Sequence, residues 1–178
     1  DFITRAPDQF ADAKYSAEKE RSVGLGVMGF HSYLQKHSIP LESVMSKVWN
    51  KKIFKHIQEQ VDQSSKDLAE ERGACPDAAD YGFNERFSNK TAIAPTASIS
   101  IICGGASPGV EPVAANSYTH KTLSGSYNVR NRYLVELLEK YGKNTEEIWS
   151  GITTNQGSVS HLDFLSDLEK DVFKTAFE

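Results

Sequence analysis

The sequence predicts an α/β chain, rich in helix and carrying a few short strands. Two features lead there. From about Pro40 to Arg72, the residues Leu41, Val44, Met45, Val48, Ile53, Ile57, Val61 and Leu68 fall near one helical face, with Lys, Gln, Glu and Asp between them. Between Thr91 and Ile102 the texture changes to short apolar pieces, Thr91-Ala92-Ile93-Ala94 and the β-branched Ser98-Ile99-Ser100-Ile101-Ile102, interrupted by Pro95.

Residues 10–36 predict the first helix. Ala11, Ala13 and Ala17, then Val23, Val27, Phe30 and Leu34, form its apolar stripe. Gly24, Gly26 and Gly29 weaken it intrinsically and point to close packing against a neighbour. Pro40 suits the first turn of the next helix and Gly73 its stop. Ala74-Cys75-Pro76-Asp77 reads as a turn, Asp80 to Asn89 as irregular chain, and Thr91–Ala94 as a strand. The run Gly104-Gly105-Ala106-Ser107-Pro108-Gly109 is a loop. Residues 113–129, rich in Ser, Thr, Asn and Tyr, show little periodicity. A third helix covers 130–141 through Tyr133, Leu134, Leu137 and Leu138, and Gly142 ends it. Asn144 with Glu147 resembles a capping box ahead of Ile148 and Trp149. Ser166 with Glu169 repeats the pattern ahead of Val172, Phe173 and Phe177. No repeat, low-complexity tract or linker divides the chain, so residues 1–178 read as a single segment. Asp1 in place of an initiator Met, and a helical pattern running into Glu178, make both ends read as cuts.

The 178 residues are 39% hydrophobic and 25% charged, ordinary for a globular chain. A net charge of −4 and a pI of about 5.8 argue against a nucleic acid polymer as partner, since that role needs Lys and Arg to displace counterions. No basic-then-apolar leader is present, and no apolar run reaches the roughly 18 residues that span a bilayer, so no membrane role is expected. Cys75 and Cys103 form neither a CxxC motif nor a disulfide framework, which makes the cytoplasm the expected compartment.

Gly24-Leu25-Gly26-Val27-Met28-Gly29 matches the G-x-G-x-x-G pattern of dinucleotide-binding folds. That motif needs a strand before it and an acidic strand end some 20 residues later. Here Ser16-Ala17-Glu18-Lys19-Glu20-Arg21 precedes it, helical and charged. An NAD(P)-dependent oxidoreductase is therefore the alternative reading, and small-residue helix packing the better account of the run. Pro95-Thr96-Ala97-Ser98-Ile99-Ser100 has the parts of a phosphate cradle: a proline to set the entry angle, hydroxyl donors, and backbone amides at a turn. A plain Ser/Thr turn has the same letters. A third reading, an assembly module with no ligand of its own, predicts a closed or filled loop there. Neither cysteine has an activating neighbour in sequence, and the histidines show no metal-ligand spacing, so no catalytic residue and no metal site are expected. Glu111 reads equally well as a functional carboxylate and as a turn acid.

Thr91-Ala92-Ile93-Ala94-Pro95-Thr96-Ala97-Ser98-Ile99-Ser100, followed by Gly105-Ala106-Ser107-Pro108-Gly109-Val110-Glu111-Pro112, closely resembles ribonucleotide reductase large, or catalytic, subunits. Arg21–Phe30, Glu71-Arg72-Gly73-Ala74-Cys75-Pro76 and Lys121-Thr122-Leu123-Ser124-Gly125 fit the same family in order and spacing. The resemblance covers essentially the whole chain. It implies that the chain is part of the ten-stranded α/β barrel of those subunits. It also implies that Pro95, Thr96, Ala97, Ser98, Ile99 and Ser100 form the turn and helix start that bind the phosphates of a ribonucleoside diphosphate substrate.

The family's Asn-x-Cys-x-Glu finger motif, reducing cysteine pair, Tyr-Tyr pair, effector loops and redox-active tail are missing from these residues. Cys75 and Cys103 match none of the family's cysteines. The resemblance therefore implies a segment that needs the remainder of the catalytic subunit. In the whole enzyme a cysteine radical takes the ribose 3′ hydrogen, water leaves C2′, and a cysteine pair supplies electrons. The radical source is either a metal-containing, radical-generating small subunit or adenosylcobalamin. The segment itself is expected to bind no cofactor.

Overall fold

The computed structural model describes residues 5–123 and 125–178. After a 3-10 turn at Asp8–Phe10, the elements in chain order are α1 (Ala11–Glu20), α2 (Phe30–Lys36), α3 (Val44–Arg72), α4 (Pro76–Asp80), α5 (Ala97–Ile102), β1 (Ser117–Thr122), β2 (Gly125–Arg130), α6 (Arg132–Lys140), α7 (Glu146–Thr154) and α8 (Asp167–Val172). They form two compact units. One comprises residues up to Gly26 with Asn50–Ile93, the other Val27–Trp49 with Ala94–Glu178.

In the first unit, residues 50–72 of the 29-residue α3 supply most of the helix. The fully buried Ser65 accepts the Arg86 N–H on its hydroxyl at 3.1 Å. The Arg86 guanidinium donates to the carbonyls of Arg72 and Gly73, each at 3.0 Å. A cation on the last carbonyls is what a helix C-terminus favours. Lys90 ion-pairs with Asp62 and Glu85. Lys19 of α1 reaches Asp77 and Asp80 of α4, each at 3.2 Å.

The expected helix over 10–36 is not continuous. Arg21 adopts a left-handed conformation (φ 48°) that stops α1. The chain then runs extended, and Leu25 pairs with Thr91 as a parallel bridge. Val23 N–H donates to Asn89, Leu25 N–H to Lys90, and Ala92 N–H returns to Leu25, at 2.9–3.1 Å. A Cβ on Gly24 would lie 2.9 Å from the Ala92 Cβ. Close approach does explain this glycine, but the approach is of two segments joined by an isolated bridge, not of packed helices. Gly29, with φ 80°, heads α2 in the second unit.

The second unit holds a core of Leu134, Leu138, Trp149, Ile152, Val159, Leu162, Leu165, Val172 and Phe173. Leu134 and Leu138 are one turn apart on α6, as the sequence stripe requires. Asn131 caps α6 by accepting the Tyr133 N–H at 3.1 Å. Ser166 and Glu169 form the expected capping box on α8. For α7 the cap is Thr145, one residue beyond the expected Asn144. Asn144 instead accepts the indole N–H of Trp149 at 2.7 Å. The helical pattern expected to reach Phe177 ends with α8 at Val172.

Ala97–Ile102 is the helix α5 despite its β-branched residues, in keeping with the turn and helix start that the resemblance implied. One further expectation gives way. Residues 117–122 and 125–130, which looked aperiodic, pair as antiparallel strands, Ser117 with Arg130 and Thr122 with Gly125. Just before β1, Asn116 is fully buried. Its amide donates to the carbonyls of Gly157 (3.0 Å) and Phe173 (2.7 Å), and its Oδ1 accepts from Asn131 (2.9 Å). The buried polar side chain thus holds β1, α6 and the end of α8 in one network.

Candidate functional site: the loop at 95–100

Thr96 precedes α5 in a left-handed conformation, φ 50° and ψ 26°, which a β-branched residue adopts only when surroundings impose it. The imposing contact is with Gly109, whose N–H donates to Thr96 Oγ1 at 2.8 Å. Because the hydroxyl is turned to Gly109, Thr96 makes no side-chain cap on α5. The first intrahelical bond runs from Ser100 N–H to the Thr96 carbonyl at 2.9 Å. The amides of Ala97, Ser98 and Ile99 are therefore first-turn donors of the kind a helix cannot satisfy by itself. Ala97, Ser98 and Ile99 are all exposed. Converging amides with a hydroxyl beside them suit an anion.

Ser98 and Ser100, alike in sequence, do different things. Ser98 is exposed, in the first turn of α5. Ser100 is buried, and its hydroxyl donates to the Ala97 carbonyl at 3.0 Å. It braces the turn from below. The Ser100 carbonyl in turn accepts from Gly105 (3.0 Å) and Ala106 (3.1 Å), which folds the glycine run back under α5. Gly104 and Gly105, with φ of 77° and 70°, make that reversal. Arg132 donates to the Gly104 carbonyl, on the C-terminal side of α5.

The other candidates lie elsewhere. Cys75 is fully buried, with its N–H bonded to the Glu85 carbonyl at 2.9 Å, and Cys103 is exposed at the end of α5. Glu111 is exposed, with its carboxylate next to Gly109. Among the described residues, no group of three or more His, Cys, Asp or Glu side chains could hold a metal ion. No helix of the described residues is long and apolar enough to cross a membrane. The run Gly24–Gly29 follows a helix, and Gly24 sits within the extended pairing instead of on a turn after a strand.

Sequence reasoning missed the functional divergence of the two serines and the part played by Gly109. It also missed His31 and Ser32. His31 is fully buried and accepts the Val113 N–H on Nδ1 at 3.1 Å. Burial pushes its pKa down to about 4, against a weaker opposing pull from the Val172 carbonyl. Its Nε2 is buried without a hydrogen-bond partner. Only a histidine and a serine falling in the stripe of an apolar helix could have hinted at this.

The ribonucleotide reductase barrel-domain model matches residues 2–85 and 77–178. A ribonucleoside-diphosphate reductase large subunit of Invertebrate iridescent virus 3 is 45% identical over 98% of this chain and 28% of its own length. A vitamin B12-dependent ribonucleoside-diphosphate reductase of Thermoplasma acidophilum is 32% identical over 98% of this chain and 24% of its own length. The solved structure of the Actinobacillus ureae class Id ribonucleotide reductase alpha subunit superposes with a TM-score of 0.87 at 40% identity. That match covers 98% of this chain and 32% of the solved one. The chain belongs to the ribonucleotide reductase barrel-domain family. It spans roughly a quarter to a third of the length of these relatives. The nicotinamide reading finds no support in these relatives.

Proposed function

We propose that this chain is one segment of a ribonucleotide reductase catalytic subunit, and that its loop at 95–100 holds the diphosphate of a ribonucleoside diphosphate. The observation that carries the activity is the 45% identity, over 98% of the chain, to a ribonucleoside-diphosphate reductase large subunit. The phosphate role draws its support from the uncapped first turn of α5, with Thr96 diverted to Gly109. In this reading the amides of Ala97, Ser98 and Ile99 and the Ser98 hydroxyl receive phosphate oxygens. Pro95 and Thr96 set the entry to the turn, and Ser100 braces it.

The work assigned to these residues is positioning. Fixing the diphosphate places the ribose relative to reacting groups elsewhere and removes orientational freedom before any bond breaks. The charge on the phosphates is met by amide dipoles, which need no reorganisation. Hydrogen abstraction and reduction belong to cysteines of the remainder of the catalytic subunit, the essential partner. The radical source is supplied from outside this segment, by a metal-containing small subunit or by adenosylcobalamin; the Thermoplasma acidophilum relative is described as vitamin B12-dependent. The product deoxyribonucleotides serve DNA synthesis, in the cytoplasm.

The test is reconstitution. The chain alone is expected to reduce no ribonucleotide, and activity is expected when the rest of the subunit and a radical source are added. Turnover by the isolated chain refutes the segment reading. In the reconstituted enzyme, Ser98→Ala is expected to raise KM for the nucleotide. An unchanged KM refutes the role given to that hydroxyl.

A further inference from the structure

Ser107 is fully buried in a stretch without regular secondary structure. A serine is tolerated there only if its polar groups are matched, and α2 matches them. Ser107 N–H donates to Ser32 Oγ at 2.8 Å, and Ser32 N–H donates to Ser107 Oγ at 3.1 Å. Gly29 N–H, at the head of α2, donates to the Ser107 carbonyl at 2.8 Å. His31, the residue between, takes the Val113 N–H on Nδ1. The start of α2 thus grips residues 107–113 at both ends. Between the grips lies Gly109, whose N–H holds Thr96.

Burial alone does not call for these side chains. Leu34, on the same helix, is fully buried with an apolar side chain. A neutral imidazole and a hydroxyl in such positions cost free energy unless they are bonded; the bonds made by His31 Nδ1 and Ser32 Oγ both go to the backbone of one loop, while His31 Nε2 stays without a hydrogen-bond partner. We infer that His31 and Ser32 are positioning residues for the phosphate loop: through residues 107–113 they set where Thr96, and with it the first turn of α5, stands. The inference rests on the phosphate reading of that turn. It assigns no contact with the nucleotide to either side chain.

The experiment uses the reconstituted enzyme, with Ser32→Ala, His31→Leu and the conservative His31→Asn, which keeps an acceptor near the Nδ1 position. In Ser32→Ala and His31→Leu, KM for the ribonucleoside diphosphate is expected to rise about 3- to 10-fold, with kcat within about twofold. His31→Asn is expected to recover most of the loss. A merely structural role lowers the active fraction, so that kcat falls at unchanged KM and His31→Asn gives no selective recovery; that result overturns the inference. Should His31→Leu fail to fold, Ser32→Ala decides by the same split. Ser98→Asp, measured alongside, separates the two claims. If it raises KM while the α2 variants do not, the phosphate reading stands and this inference is overturned. If it too leaves KM unchanged, the phosphate reading fails and the inference falls with it.

Discussion

Ser98→Asp is predicted to strengthen the fold and weaken the substrate at once. Ser98 lies in the first turn of α5, beside amides with no intrahelical partner. A carboxylate there meets the positive end of the helix and stabilises it by about 0.3–1 kcal/mol. For a substrate phosphate taken up by the same amides, a separation of about 5 Å from that carboxylate gives a repulsion between two unit charges of about 1 kcal/mol in water and about 3 kcal/mol at an effective dielectric constant near 20. Ser98 is exposed, so the lower figure is the better guide, and each phosphate charge adds to it. The expected result is nucleotide affinity down by roughly 5- to 150-fold, less at high salt, with the unfolding temperature unchanged or raised. The assay is KM and equilibrium binding of a ribonucleoside diphosphate in the reconstituted enzyme, with thermal unfolding of the same variant. Ser98→Asn, neutral and of the same size, is the control. A stable Ser98→Asp enzyme with unchanged affinity refutes the reasoning, because no phosphate could then sit on those amides.

Other consequences concern the scaffold. His31 is held neutral, with a folded pKa of about 4 against 6.5 for a free histidine. The unfolded chain therefore binds the extra proton first. The stability this group contributes is complete above pH 6.5 and is lost as pH falls towards 4, by about 3 kcal/mol in all. Thermal unfolding across that window should fall more steeply for the native chain than for His31→Asn, and equal slopes would remove the argument. Asn116→Ala strands the Phe173 carbonyl and a side-chain donor of Asn131, while the Gly157 carbonyl keeps the N–H of residue 116; denaturant unfolding should register a loss of about 3 kcal/mol. Gly24→Ala drives a methyl against Ala92 and should cost about 1–3 kcal/mol. Ala92→Gly in the same chain should restore most of it, as expected for directly coupled sites.

Much of the helical framework was legible from local signals. The α3 stripe, the α6 leucines and the Ser166–Glu169 box each depend on residues within a few turns of one another, and local spacing is what a sequence displays. The paired strands carried weaker signals: Tyr118, Thr119, Tyr127 and Val129 suit strands, and Ser124-Gly125 suits a turn. Without alternation of apolar and polar residues they did not register. α5 misled in the other direction. Its isoleucines favour a strand, yet Thr96 and the 104–106 reversal impose a helix of six residues. Propensity was overridden by bonds to residues up to thirteen positions away.

The sequence by itself determined the family, through motifs whose order and spacing survive without coordinates, and it marked Pro95–Ser100 as the place where phosphate chemistry could occur. Tertiary structure decided how that loop is divided. It turned Ser98 outward and Ser100 inward, pulled the Thr96 hydroxyl onto Gly109, and left the amides of α5 open. It also buried His31 and Ser32 against residues 107–113. The physical reason is that a hydroxyl or amide acquires its role from the partner that satisfies it. For Thr96, His31 and Ser32 those partners come from distant parts of the chain, brought close only by folding.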